Sequence, residues 1–145
     1  MNYVEAVQME LNSLYDRNPF VSSLEMKIEM IEKGKVELSM PVDGSKHTNL
    51  YGVLHGGALA SLADTAMGVS CATLGNRVVT IEMNINFMKS AAMGSTVLAV
   101  AEVLHSGKQT MVLEASLYGQ GGSLVGKARG TFMIIGHFEW YTGNG

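Results

Sequence analysis

Between Lys46 and Arg77 there is one formally charged residue, Asp64. It stands in a run that is otherwise apolar or small, where an ionised carboxylate is costly unless paired or hydrogen-bonded. Chains keep such a group either to tie a structural network or to use its proton chemistry. Just ahead of the run comes His55-Gly56-Gly57. Glycines at a helix start let a ligand approach the backbone, and free N–H groups there attract negative charge. An oxyanion forming on a carbonyl under attack is such a charge. For an isolated Gly-Gly, relief of a tight turn is reason enough, so spacing has to carry the argument. Asp64 follows His55 by nine residues, roughly 13 Å of helix at 1.5 Å per residue. Both groups cannot serve one carbonyl within one chain. A joint role requires a site shared between two chains.

The surrounding pattern says what must position these residues. Asn2 with Glu5 forms a capping-box signature, and Val4, Val7, Leu11 and Leu14 recur at helical spacing, which predicts a first helix over about 2–16, ended by Pro19. Segments 24–31 and 35–41 read as a hairpin with Gly34 near its turn, followed by a loop from Asp43 to about Leu54. Segment 56–74 is apolar or small nearly all round, the mark of a helix buried on most sides, and Gly75-Asn76 supply its stop. The period then changes to two. Val79, Ile81, Met83, Ile85 and Phe87 alternate with Thr80, Glu82, Asn84, Asn86 and Met88. Further strands are predicted at 96–104, 109–118 and 123–135, joined by the turns Ser106-Gly107-Lys108 and Gly119-Gln120-Gly121-Gly122. The expected architecture is one apolar helix packed on an antiparallel sheet of five or six strands, as a single domain over 1–145 with its core at about 24–135. The tail at 136–145 shows no pattern.

Charged residues make up 16% of the 145 residues, against 47% hydrophobic. Soluble chains carry about 25% charged residues, so the shortfall predicts surface covered by another copy of the chain. A net charge of −3 argues against a general electrostatic grip on nucleic acid, which needs a basic face. Cys71 is the one cysteine, so there is no intrachain disulfide and no Cys-based zinc site. Charges interrupt the first twenty residues, and the longest charge-free stretch, between Lys46 and Asp64, is broken by polar residues and glycines and too short to span a bilayer. A cytoplasmic location without membrane contact is the expectation.

The run His47-Thr48-Asn49-Leu50-Tyr51-Gly52-Val53-Leu54-His55-Gly56-Gly57, the segment Ser61-Leu62-Ala63-Asp64 and the strand Thr80-Ile81-Glu82-Met83-Asn84-Ile85-Asn86-Phe87-Met88 together carry a resemblance. They resemble the hotdog-fold acyl-CoA thioesterases of the PaaI-like and human thioesterase superfamily member 2 type, over roughly residues 24–135. The resemblance implies an α+β hotdog fold, an antiparallel sheet wrapped around one long central helix. It implies hydrolysis of acyl-CoA to free acid and CoA, with acyl-CoA as the partner and coenzyme A present only as part of the substrate. Asp64 would be the base or nucleophile, and the Gly56 N–H would polarise the carbonyl. Asn49 would position the carbonyl or the water, His55 would support the loop, and Thr80 would help orient the water. Coenzyme A would lie along Gly57, Met88, Lys89 and Ser90 and along Ser106, Gly107, Lys108 and Gln109, with each lysine suited to phosphate. Met67, Met83 and Met88 could line an adaptable acyl pocket. The assembly would be a homo-oligomer, dimer or tetramer, with Asp64 of one chain facing Gly56 of the other.

Other chemistries lack their signatures. No G-x-S-x-G elbow occurs, and Gly119-Gln120-Gly121-Gly122 has no βαβ unit around it. His47, His55, His105 and His137 are scattered with no H-E-x-x-H pair, so no metal site is expected and no separate cofactor is implied. Cys71, among small helix residues, reads as core. Two alternatives stay open: a non-catalytic acyl-CoA sensor, and a hydratase or dehydratase on the same fold.

Overall fold

A computed structural model describes residues 2–141 of the chain. Helix α1 (Tyr3–Asp16) begins with the expected capping box, the Asn2 side chain accepting from the Glu5 N–H while the Glu5 carboxylate accepts from the Asn2 N–H. Pro19 does more than end that helix. It starts a second, short one, α2 (Pro19–Ser23), because proline's fixed φ suits a first helical turn and Asn18 caps it. Strands β1 (Lys27–Glu32) and β2 (Lys35–Pro41) form the expected hairpin. The predicted strand at 24–31 therefore starts late, since α2 occupies the residues just before it.

The central helix α3 (Gly56–Thr73) precedes β3 (Asn76–Phe87), β4 (Thr96–Ser106), β5 (Thr110–Tyr118) and β6 (Leu124–His137). The six strands form one antiparallel sheet in the order β1-β2-β4-β5-β6-β3. β3 does not lie beside β4, the strand that follows it in sequence. It pairs with β6 at the far edge, which leaves its other edge unpaired among the described residues.

The helix lies in a trough built from small side chains. Ala101, Ala115 and Ala128 stand opposite one another on β4, β5 and β6, all essentially inaccessible. Longer residues on the same face, Leu38, Met40, Leu113, Leu117 and Phe132, form the banks. Into this trough α3 presses Leu59, Leu62, Ala63, Ala66, Met67 and Val69. The Ser70 hydroxyl, also buried, donates to the Ala101 carbonyl at 3.1 Å, so its polar atom is satisfied at the closest approach. Burying a side chain such as Leu62 is worth about 1.5–3 kcal/mol. The helix stops at Gly75, whose φ of +81° suits glycine, and the Tyr141 ring packs where a Cβ would stand.

Part of the segment 136–145 belongs to the fold although its sequence shows no pattern. Gly136 and His137 belong to β6, Phe138 stacks on Trp140 at 5.3 Å between centroids, and the Phe138 N–H donates to the Gly75 carbonyl. Residues 142–145 of that segment lie outside the described residues. No helix among the described residues is long and apolar enough to cross a membrane.

Two neutral acids belong to this interior. Burial pushes the Cys71 thiol up to about 12. Burial also pushes the Tyr15 phenol up to about 12, with Cys71 and Asp64 adding to the shift. An unfolded chain gives up these protons near pH 9 and 10, while the fold holds them to about 12. The unfolded state thus binds fewer protons in that window. The associated stability is fully present below pH 9 and is lost as pH rises toward 12. Denaturant midpoints measured from pH 7 to 11 should fall above pH 9, with a shallower fall in Cys71→Ala. A parallel curve for the variant would show that the thiol contributes nothing to the alkaline loss.

Candidate active site

The His-Gly-Gly sequence has a local explanation in three parts. The His55 imidazole caps α3, its Nδ1 accepting the Gly57 N–H at 2.8 Å, which places the neutral ring's proton on Nε2. Gly57 must then be small, because a Cβ there would stand 3.0 Å from that same Nδ1. The Gly56 N–H, one residue earlier, makes no hydrogen bond among the described residues, and a Cβ on Gly56 would touch the Phe87 ring at 3.4 Å. The motif yields a capped helix with one open donor beside an aromatic wall.

The loop before the helix is braced by a residue that sequence reasoning left without a role. His47 is buried, its Nδ1 accepting the Asp43 N–H at 3.0 Å and its Nε2 donating to the Leu24 carbonyl at 2.7 Å. Its own carbonyl accepts the His55 N–H at 2.7 Å. Asn49 turns the tip of this loop, its Oδ1 accepting from Tyr51 and Val53 N–H groups. The oxygen is thereby committed, and the Nδ2 amide is the end left to donate to a ligand.

Asp64 is less enclosed than the sequence suggests. Along α3 the half-buried residues Ser61, Asp64, Thr65 and Gly68 recur at spacings of three and four, so they form one stripe turned away from the sheet. The carboxylate Oδ1 accepts a hydrogen bond of 2.6 Å from the Thr80 hydroxyl. Its Oδ2 has no hydrogen-bond partner among the described residues. Thr80 reaches it through a bulge. Strict alternation along β3 would put Thr80 on the face opposite Met83 and Ile85, but the register slips between Thr80 and Glu82. Ile81 is the extra residue and faces out, half exposed, while Thr80 joins the helix side.

The remaining residues separate into two groups. Asp64, Thr80 and Gly68 line a cavity of about 470 Å³, closed on its other side by Tyr15, Phe20 and Val21 from the N-terminal helices. Asn49, Gly56, Phe87, Met88, Lys89 and Ser90 line a second cavity of about 350 Å³. Gly57 and His55 stand exposed at the helix start. The Ser106-Gly107-Lys108-Gln109 turn lines neither cavity. It sits at the Thr80 end of the sheet, since Thr110 pairs with Met133 and Met133 with Val79. Of the three methionines, Met67 is core beneath the helix, Met83 packs on the core, and Met88 lines the second cavity. Sequence reasoning missed the part played by α1 and α2 in walling the Asp64 cavity; their apolar stripe reads as simple packing. Among the described residues no group of three or more His, Cys, Asp or Glu is placed to hold a metal ion.

Known proteins share this fold. The thioesterase superfamily model matches residues 51–125. The chain is 31% identical over 125 residues to the acyl-coenzyme A thioesterase PaaI of Escherichia coli, covering 86% of this chain and 89% of that one. The solved structure of E. coli PaaI superposes with a TM-score of 0.88 over 94% of this chain and 99% of that one, at 28% identity. Human acyl-coenzyme A thioesterase 13 is 36% identical over 101 residues, 68% of this chain and 71% of the relative. A hypothetical thioesterase of Streptococcus pneumoniae, solved with coenzyme A, gives a TM-score of 0.77 at 31% identity over 81% of this chain and 92% of that one.

The capping geometry leads to a direct test of His55. Asparagine is also a good N-cap, so His55→Asn should keep a denaturation midpoint near the parent's, whereas His55→Ala should lose about 1 kcal/mol. Thioester turnover should follow the cap, with the Asn variant closer to the parent. An Asn variant that is stable yet as impaired as the Ala variant would give the imidazole a chemical role.

Proposed function

The chain belongs to the thioesterase superfamily, and we propose that it is an acyl-CoA thioesterase whose active sites are each assembled from two copies of the chain. One observation carries the shared site: the free carboxylate oxygen of Asp64 and the free N–H of Gly56 open into different cavities of the same chain. Eight residues of one straight helix hold them about 12 Å apart. The long edge of β3, unpaired among the described residues and with Val79 and Ile81 half exposed, offers the surface on which a second copy can continue the sheet. Pairing there brings the Asp64 half-site of one copy against the Gly56 half-site of its partner.

In this reading the thioester carbonyl lies on the Gly56 N–H and the Asn49 amide of one copy. Asp64 of the other copy, held by Thr80, takes a proton from water through Oδ2 as the water oxygen bonds to the carbonyl carbon. The carbonyl electrons move to oxygen, where the preorganised N–H stabilises them. Collapse breaks the carbon–sulfur bond, the departing thiolate takes up the proton held by Asp64, and CoA and the acid leave. Direct attack by Oδ2, giving an anhydride that water then cleaves, uses the same atoms. Incorporation of labelled oxygen into the protein in a single turnover separates the two routes. Lys89 beside Gly56 and Lys108 at the Thr80 end come from different copies, so both cations can flank one CoA. Coenzyme A enters as part of the substrate. Dimer and tetramer both satisfy the shared site.

Asp64→Asn should stay folded and lose several orders of magnitude in turnover on acyl-CoA, followed as free thiol release. Gly56→Ala should lose about 10²–10³. Co-expression tests the sharing. A mixed dimer of the two variants has one doubly damaged and one intact site, so random pairing should restore about a quarter of parental activity. Mixtures no more active than the separate variants would place the whole site within one chain.

A further inference from the structure

Resting on that reading, we infer that Gly68 is the residue that admits the acyl group, and that its missing side chain selects for acyl chains long or wide enough to pass it. Gly68 is one turn beyond Asp64 on the same stripe of α3, and Ala72 is one turn further, also in the cavity wall. The cavity therefore runs along the helix from the carboxylate over a position with no side chain to one with a single methyl. Tyr15, Phe20 and Val21 stand across from it, and Phe132 lies beneath. Beyond its chain neighbours and its own helix backbone, a Cβ built on Gly68 meets no atom within 4 Å. At the helix start a Cβ on Gly57 would crowd the His55 ring and one on Gly56 would touch Phe87; Gly68, in the helix interior, faces open space.

That space is not explained by backbone conformation or packing. Gly68 lies in the interior of α3 without a positive φ, where glycine is less favourable than alanine because it loses more backbone freedom. A residue that weakens its helix and touches nothing is retained here for the volume it leaves. The Oδ2 of Asp64 opens at the mouth of this channel, so an acyl group whose carbonyl is under attack there extends toward Gly68.

The substitution moves stability and specificity in opposite directions. Gly68→Ala should raise the melting temperature by roughly 2–4 °C. It should also lower the ratio of kcat/KM for decanoyl-CoA to that for acetyl-CoA by about tenfold or more, the usual effect of one carbon in an apolar pocket. Gly68→Leu should lower the ratio further. Both variants are measured on the intact oligomer, with sedimentation run in parallel. An unchanged ratio in both variants overturns the inference. So does a lower melting temperature or dissociation of Gly68→Ala, since either would mean that the position is packed against another copy. A parent that releases no thiol from any acyl-CoA overturns the thioesterase reading itself, a result distinct from an active parent with an unshifted preference.

Discussion

An α-helix advances about 1.5 Å per residue, and this fixed rise separates Gly56 from Asp64 whatever the rest of the chain does. Each chain carries a carboxylate and an open helix-start N–H on one rigid rod. The fold holds that rod at a set height over the sheet and leaves one face of it bare. The alanine row on β4, β5 and β6 sets the height. Larger residues there would lift α3 and carry Asp64 away from Thr80, on which its 2.6 Å hydrogen bond depends.

The two ends of the rod are fixed by different means. At the start, a relay of backbone and imidazole contacts runs from Leu24 through His47 to His55 and then to Gly57. It uses few apolar atoms and depends on neutral rings with defined tautomers. In the middle, Asp64 is fixed from the sheet by a bulge that turns one hydroxyl inward. A bulge leaves part of a strand unpaired, and it is tolerated at the edge position that β3 occupies. The same edge exposes Val79 and Ile81, so the irregularity that orients the acid also shapes the surface on which a second copy can pair.

Much of this was legible in the sequence. The apolar run at 56–74 with its single acid, the capping box at Asn2 and the switch to a period of two all appear in the structure, within a few residues of the predicted bounds. What could not be read depends on contacts distant in sequence. Alternation places Thr80 on the wrong face, because a bulge is a property of pairing with β6 and leaves no mark in β3 itself. Pro19 reads as a stop and is also a start, since proline is favourable at a first helical turn. The burial expected for Asp64 follows from composition alone, which averages over the helix and cannot show that Ser61, Asp64, Thr65 and Gly68 share one bare stripe.

That stripe bears on how the acid works. In a single chain Asp64 faces an open cavity, where water weakens every electrostatic interaction it makes. A second copy laid against β3 would bring its own Gly56 and Phe87 to that opening and exclude part of the solvent. The charge interactions that drive attack would then strengthen at the moment the oxyanion donor arrives. The low charge content of the chain fits the same reading, since the buried centre of an interface is depleted in charged residues. On the proposed reading assembly and chemistry would share one cause, a helix too long for the Asp64 carboxylate and the Gly56 N–H to meet on one substrate.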